Sequence, residues 1–206
     1  MKKIVVTGFE PFNGKSTNPS QRIVEKLMAP KDTVLVKKIL PVAYKQAEEE
    51  LIHLIEKEQP DILLSIGQAG NVPHISVERV ALNLDCTRTS NWEGLFADAV
   101  GYQPIDVPVI PDAENALYAT LPVWELVADI RKKNVPAAGS DHAGTFICNH
   151  VMYIGCHLTK KYPHMISGFI HVPFLPEQNP EKGYTMPFED MLTALQTVIN
   201  TLAGNL

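Results

Sequence analysis

The chain has 206 residues, of which 45% are hydrophobic, and this is enough for one domain with a substantial buried core. Its formal net charge of −5 argues against a nucleic-acid partner or a polybasic membrane contact. No apolar run approaches the roughly 20 residues of a membrane-spanning helix, and the short run ended by Gly8 does not fit a secretory signal. Three cysteines without CxxC spacing favour a cytoplasmic protein and offer neither a disulfide framework nor a zinc site. We therefore expect no metal and no cofactor.

Hydrophobic periodicity predicts alternating strands and helices along most of the chain. The predicted strands are 3–8, 33–40, 61–66, 75–84, 135–140 and 165–171, and the predicted helices are 18–28, 43–57, 121–133, 148–161 and 188–202. Asn18 is a capping residue followed by a proline, as at many helix starts. Pro122 is predicted in the first turn of the third helix, with Trp124 among its apolar positions. This order predicts an α/β fold: a single domain over 1–206, with a twisted, largely parallel but mixed sheet and helices on both faces.

Irregular segments between these elements are candidates for a site. Residues 85–111 are long and irregular, with Asn91-Trp92-Glu93-Gly94 near their start, and such loops are usually functional or contact another subunit. Open α/β sheets bind ligands outside the carboxyl ends of their strands. The loops 9–17 and 68–74, and the segment that leads to Cys148, are therefore the ones to inspect.

Cys148 lies near the start of a helical pattern, in the stretch Gly144-Thr145-Phe146-Ile147-Cys148-Asn149-His150. The partial positive charge at a helix N-terminus favours an anion, so this position suits a thiolate. A free cysteine is more often a small buried apolar residue. Position alone leaves both interpretations open.

A nucleophilic cysteine needs a histidine within hydrogen-bond reach, and the histidine needs an acceptor that orients it. His171 ends a predicted strand, where sheet geometry places a site. His150 is two residues from Cys148 and points to another side of the helix, whereas spacing does not exclude His142. Glu78 lies on the apolar face of a predicted strand, where a carboxylate needs a partner. That partner is solvent, Arg79 or Arg88 in a structural role, or a histidine or a substrate amide in a functional one. Cys148, His171 and Glu78 form a plausible catalytic set.

The chain resembles the pyroglutamyl peptidase I family, also called pyrrolidone-carboxylate peptidases, over nearly its whole length. The motifs that carry the resemblance occur in family order. They are Thr7-Gly8-Phe9-Glu10-Pro11-Phe12, Asn18-Pro19-Ser20, Gly67-Gln68-Ala69-Gly70, Glu78-Arg79-Val80-Ala81-Leu82-Asn83, Gln103-Pro104-Ile105-Asp106, Ala143-Gly144-Thr145-Phe146-Ile147-Cys148-Asn149, Gly168-Phe169-Ile170-His171-Val172-Pro173 and Leu175-Pro176-Glu177-Gln178.

The resemblance implies a cysteine peptidase that hydrolyses the bond after an N-terminal pyroglutamyl residue through a thiolate acyl-enzyme. It implies Cys148 as nucleophile, His171 as general base and Glu78 as the orienting acid. Arg88 falls on the arginine near the oxyanion, and the substrate pocket falls on Phe9, Phe12, Phe146 and Ile147. Backbone groups near Gln68 are candidates for hydrogen bonds to the lactam. Pyroglutamylated peptides are the implied partners, and a homo-oligomer, a tetramer in many family members, is expected.

Three places depart from the family pattern, namely Asn13, Asn71-Val72 and Asp141-His142. None of them is a member of the catalytic set, so we expect them to affect loop geometry and substrate breadth. Two alternative functions remain open. One is a catalytically inactive protein that binds pyroglutamyl peptides, and the other is a different amidase on the same scaffold.

Overall fold

Strands and helices alternate along the chain, as the sequence predicts. The computed structural model describes residues 1–88, 97–178, 181 and 183–205. The strands are β1 (Lys2–Phe9), β2 (Thr33–Leu40), β3 (Ile62–Gln68), β4 (Ile75–Glu78), β5 (Val80–Leu82), β6 (Ala116–Tyr118), β7 (Ala137–Ser140) and β8 (Ile166–Val172). The helices are α1 (Pro19–Lys26), α2 (Tyr44–Glu58), α3 (Val123–Arg131), α4 (Ile147–Leu158) and α5 (Phe188–Asn205), with a 3₁₀ turn at Pro176–Gln178.

The main sheet has six strands in the order β2-β1-β3-β8-β4-β7. Its neighbours pair in parallel, except that β4 runs antiparallel to β8. The predicted α/β fold with a largely parallel, mixed sheet is therefore confirmed. None of the helices in the described ranges is long and apolar enough to cross a membrane.

The prediction of one strand over 75–84 is wrong. The strand is interrupted at Arg79, whose N–H donates to the Ser140 carbonyl at 2.9 Å and whose carbonyl accepts from the Ala119 N–H at 2.8 Å. β4 ends before Arg79 in the main sheet, whereas β5 pairs with β6, a strand that the sequence does not predict. The apolar alternation continues across Arg79, so periodicity alone does not reveal the change of sheet. Glu78 is consequently the last residue of a strand.

Helices cover both faces of the sheet, as predicted. Ile4 and Val6 of β1 pack into one cluster with α1, α3 and α5. Val5 of β1 and Phe169 of β8 pack into a second cluster with α2 and α4. Successive residues of a strand point to opposite faces, which explains this division. We call the second side of the sheet the α4 face.

The predicted helix starts are partly confirmed. The Asn18 side chain caps α1 by accepting from the Ser20 N–H at 3.0 Å. In α3, however, Pro122 is the N-cap residue and does not lie in the first turn. Trp124 of the same helix is 63% exposed, so it is not one of the helix's core residues.

The long segment 85–111 is closed at its base. Asp85 and Val107 exchange two backbone hydrogen bonds of 2.7 and 3.0 Å. The stretch Asn91-Trp92-Glu93-Gly94, which the sequence singles out, lies outside the described residues.

The strand order of the main sheet reverses at β1. The chain leaves β1 for β2 on one side and returns to β3 on the other side. The pairing of β1 with β3 ends at Thr7 and Ser65, whereas β3 continues beside β8 to Gln68. We call the resulting gap between the two carboxyl ends the β1–β3 crevice. Open α/β sheets bind their ligands at such switch points.

Candidate active site

Cys148 is the second residue of α4, directly above the carboxyl end of the sheet. Phe146 is the N-cap residue in an extended conformation, and Gly144 turns the preceding loop with a φ of +80°, which favours glycine. The first N–H groups of a helix have no intrahelical acceptor. The Cys148 N–H is one of these groups, so the sulfur and a backbone donor lie together at the positive end of the helix.

His171 and Glu78 lie on the α4 face because of the strand pairing. His171 of β8 is opposite Ser76 of β4 in the antiparallel register. Glu78 is two residues beyond Ser76 and points to the same face. The two side chains are buried, and His171 Nδ1 lies 2.8 Å from Glu78 Oε1.

Gly67 allows the Cys148 sulfur to approach this pair. It is opposite His171 in the parallel pairing of β3 with β8. A Cβ placed on Gly67 would lie 2.9 Å from Cys148 Sγ and 2.7 Å from the Phe169 ring. The sulfur therefore rests against the bare backbone next to His171. The structure brings together the three residues that the sequence selects as a catalytic set.

The neighbours of His171 raise the pKa of its imidazole. Burial alone would lower this pKa, but the Cys148 charge and the hydrogen bonds that the ring donates to Cys148 and Glu78 raise it to about 10. Since Nδ1 faces Glu78, Nε2 is left for the sulfur. His171 therefore lies within hydrogen-bond reach of both the Cys148 sulfur and the Glu78 carboxylate.

The apolar residues expected to hold substrate lie on the α4 face, and they differ in how much of their surface is accessible. Phe9 is 2% exposed and packs against Phe169, with ring centroids 6.4 Å apart. Phe146 and Phe12 are partly buried on the α4 face, and Ile147 is buried. The Phe169 ring in turn lies 4.8 Å from the His171 ring. Phe9 thus supports the site mainly through Phe169, whereas Phe12 and Phe146 keep some accessible surface.

The Gln68 side chain faces away from Cys148. Gly67 faces the α4 face, so its neighbour Gln68 points to the opposite side of β3. There Gln68 Oε1 accepts a hydrogen bond from Gln178 Nε2 at 2.8 Å. The backbone of Gln68, in contrast, borders the β1–β3 crevice. This is consistent with the expectation that the lactam meets backbone groups here.

Arg88 is exposed and follows a segment that is tied to the cysteine loop. The Cys86 N–H donates to the Thr145 carbonyl at 2.8 Å, and Thr145 Oγ1 donates to the Cys86 carbonyl at 3.0 Å. These bonds hold the approach to Arg88 beside the loop that leads into α4. The role of Arg88 at the oxyanion stays a prediction.

The other candidate thiols and bases have different partners. His142 is exposed, and its Nδ1 accepts from the Gly144 N–H at 3.1 Å, so it stabilises a turn. Cys156 is buried, and this raises the pKa of its thiol to about 12. In the described ranges, no group of three or more His, Cys, Asp or Glu side chains is arranged to hold a metal.

A second buried histidine–carboxylate pair was not predicted. His150 Nδ1 lies 2.7 Å from Asp85 Oδ2, and its Nε2 lies 3.4 Å from Glu48 Oε2. Burial alone would lower the pKa of His150, but its two carboxylate partners raise it to about 9. The Tyr44 ring packs edge-on against the rings of His150 and Phe146, with ring centroids 5.2 and 5.6 Å apart. The cluster joins α2, α4 and the Asp85 segment close to Cys148.

Asn149 makes a further connection that sequence reasoning missed. Its Nδ2 donates to the Leu82 and Leu84 carbonyls at 2.9 and 3.0 Å, and its Oδ1 accepts from the Leu82 N–H at 2.8 Å. The only signal in the sequence is the polar pair Asn149-His150 at the start of an otherwise apolar helix.

Comparisons with known proteins identify the family of the chain. A family model described as pyroglutamyl peptidase matches residues 2–205. Pyrrolidone-carboxylate peptidase 1 of Caldanaerobacter subterraneus is 42% identical over 207 residues, which is 97% of each chain. The pyrrolidone-carboxylate peptidase of Fusobacterium nucleatum is also 42% identical, over 98% of this chain and 93% of its own.

Solved structures show the same fold. The crystal structure of Bacillus amyloliquefaciens pyroglutamyl peptidase I superposes with a TM-score of 0.92 at 34% identity, covering 100% of this chain and 98% of that one. A mutant pyrrolidone carboxyl peptidase from Pyrococcus furiosus gives 0.90 at 35% identity, covering 99% and 100%. The chain therefore belongs to the pyroglutamyl peptidase family.

Proposed function

We propose that this protein removes N-terminal pyroglutamyl residues from peptides, with Cys148 as nucleophile, His171 as acid and base, and Glu78 as the group that orients His171. The observation that carries the proposal is the hydrogen bond of 2.8 Å between His171 and Glu78 on the face where the Cys148 sulfur rests against Gly67. Membership of the family supports the reaction, and this geometry supports the proposed roles.

In the first step the Cys148 thiolate attacks the carbonyl carbon of the pyroglutamyl residue. The oxygen becomes negatively charged, and the Cys148 N–H at the head of α4 is placed to stabilise it, with Arg88 as a second donor. The imidazolium of His171 then gives its proton to the leaving amine as the C–N bond breaks. The products of this step are an acyl-enzyme and a peptide shortened by one residue.

In the second step His171 is neutral and acts as a base. It takes a proton from water while the water oxygen attacks the thioester, and Cys148 leaves as a thiolate. Glu78 holds the Nδ1 proton throughout, so that Nε2 always faces the reaction. Free pyroglutamate is released, and the thiolate–imidazolium pair is restored.

Substrate recognition follows from the chemistry of the lactam. Pyroglutamate is flat, neutral and lacks a free α-amine, so its site needs apolar faces and two hydrogen-bonding groups. Phe12 and Phe146 supply accessible aromatic surface, with Phe9 and Ile147 behind them. Backbone groups of Gln68 at the β1–β3 crevice are the proposed partners of the ring.

A panel of anilide substrates tests this function. We expect turnover of pyroglutamyl anilide, and rates lower by at least about 10²-fold for prolyl and glutamyl anilides, because a site built to hydrogen-bond the lactam is left with unpaired groups by both. The assay includes a chelator, which should not reduce the rate. Comparable turnover of all three would indicate a broader amidase. Tight binding of pyroglutamyl peptides without turnover would indicate a binding protein.

We further propose that the chain acts as one domain over 1–206, in the cytoplasm, and as a homo-oligomer, a tetramer by its resemblance to the family. Three free thiols, Cys86, Cys148 and Cys156, support a reducing compartment. Light scattering coupled to size-exclusion chromatography measures the assembly mass directly. A mass equal to the 22.8 kDa of one chain would overturn the oligomer proposal.

A further inference from the structure

The side chain of Gln178 connects three loops around the β1–β3 crevice. Its Oε1 accepts from the Leu175 N–H at 2.7 Å, which closes the turn after β8. Its Nε2 donates to Gln68 Oε1 at 2.8 Å and to the Thr17 carbonyl at 3.3 Å. One amide therefore contacts the loop after β1, the end of β3 and the loop after β8.

A second set of hydrogen bonds closes the loop between β1 and α1, which contains Phe12 and Thr17. The Phe9 N–H donates to Ser20 Oγ at 3.0 Å, and Ser20 Oγ donates to Asn18 Oδ1 at 2.9 Å. Asn18 Nδ2 donates to the Glu10 carbonyl at 3.0 Å. These bonds join the two ends of the loop that contains Phe12. Thr17 directly precedes Asn18, so the Gln178 contact adjoins the residue that closes this loop.

The ladder between β1 and β3 ends at Thr7 and Ser65. Beyond that point, the donors on Gln178 span the gap from the β3 side at Gln68 to the β1 side at Thr17. A side-chain amide therefore links the two sides of the crevice where the backbone ladder no longer does.

We propose that Gln178 is a positioning residue that sets the width of the lactam site and thereby the affinity for pyroglutamyl substrates. It acts through Gln68 and the loop after β1, and it takes no part in bond making or breaking. The inference rests on the proposed function for its substrate. It predicts a change in KM with little change in kcat, because the triad stands on α4, β4 and β8 and not on this tether.

Two substitutions separate the tether from the turn. Gln178→Glu keeps an oxygen that accepts from the Leu175 N–H but has no N–H for Gln68 or Thr17. Gln178→Met loses all three bonds. The matched control is Gln196→Glu, since Gln196 also bridges backbone groups, donating to the Met28 carbonyl at 3.0 Å and accepting from the Met28 N–H at 2.9 Å, on α5.

The measurement is kcat and KM for pyroglutamyl anilide, with active sites counted by thiol titration. Both Gln178 variants should raise KM about tenfold, with kcat within about twofold, as expected for the loss of hydrogen bonds that hold a preorganised site. Gln178→Met should also lower the melting temperature. Gln196→Glu should leave KM unchanged. An unchanged KM in Gln178→Glu, or a loss confined to kcat, would overturn the inference.

A binding readout keeps this test separate from the proposed function. Free pyroglutamate should protect Cys148 from alkylation, and Gln178→Glu should need about ten times more of it for equal protection. If the wild type is protected but shows no turnover, the proposed function fails and the shift in protection still decides the role of Gln178. Absence of both turnover and protection in the wild type would overturn both proposals.

Discussion

Gly67→Ala offers a close test of how the sheet positions the nucleophile. The new methyl group would lie 2.9 Å from Cys148 Sγ and 2.7 Å from the Phe169 ring. Ordinary nonbonded contacts are about 3.5–4.0 Å, so the sulfur or the ring must move by roughly 0.7 Å or more. Because the ring of Phe169 is buried against the His171 ring, the sulfur at the helix end is the easier group to displace.

Both stability and rate should respond to this substitution. Overpacking of a core typically costs about 1–3 kcal/mol, and this corresponds to a melting temperature lower by about 2–12 °C in a domain of this size. A misplacement of about 1 Å at a reacting group costs about 10² in rate. We therefore expect kcat for pyroglutamyl anilide to fall about 100-fold in protein that is still folded.

Gly155→Ala is the matched control. Its methyl group would lie 2.7 Å from Ser167 Oγ and 2.9 Å from Leu63 Cδ2, so it overpacks the same helix–sheet interface far from the sulfur. Steady-state kinetics at 25 °C and thermal melts of both variants make the comparison. Gly155→Ala should keep its kcat within about twofold. If Gly67→Ala also kept its kcat while its melting temperature fell, the bare backbone of β3 would not position the sulfur.

Three further predictions concern residues around Cys148. His171→Ala should lower kcat by about 10⁴-fold, and Glu78→Gln should lower kcat less because it retains a hydrogen-bonding group. Steady-state kinetics measures both, and the reverse order would contradict the orienting role of Glu78. His150→Asn keeps a donor for Asp85 but cannot titrate. The raised pKa of His150 contributes stability that is complete below about pH 6.5 and is lost as the pH rises through about 9. Urea denaturation should therefore show the wild type losing more free energy of unfolding than this variant between these pH values. Parallel curves would refute the contribution of His150 to the pH dependence of stability. Asn149→Ala should cost about 3 kcal/mol, seen as a melting temperature lower by about 6–12 °C, because buried backbone groups lose their partners; a shift below 2 °C would contradict this.

The proximity of Cys148, His171 and Glu78 could be predicted because these residues stand at places that periodicity marks. Cys148 begins a helix and His171 lies at the end of a strand, and both signals are local. Glu78 was identified from the cost of a carboxylate in an apolar pattern, although the strand assigned to it was too long. What brings Glu78 to His171 is the antiparallel register of β4 with β8, which no local pattern contains.

The supporting residues could not be predicted for a related reason. Asp85, His150 and Tyr44 come from a loop and two helices, and their contact depends on how those elements pack. The orientation of Gln68 follows from Gly67 facing Cys148, which is known only when α4 is placed over β3. Sequence patterns locate ends of elements well, but they do not state which elements meet.

The central claim is that the Cys148 sulfur, held beside His171, forms a covalent acyl-enzyme with the pyroglutamyl group. Rapid-quench mass spectrometry of the intact protein during turnover of pyroglutamyl anilide tests it, with Cys148→Ser measured in parallel. The account predicts one pyroglutamyl adduct on Cys148 of the wild type, together with a loss of about four orders of magnitude or more in kcat for folded Cys148→Ser. Turnover by Cys148→Ser at the wild-type rate would contradict it.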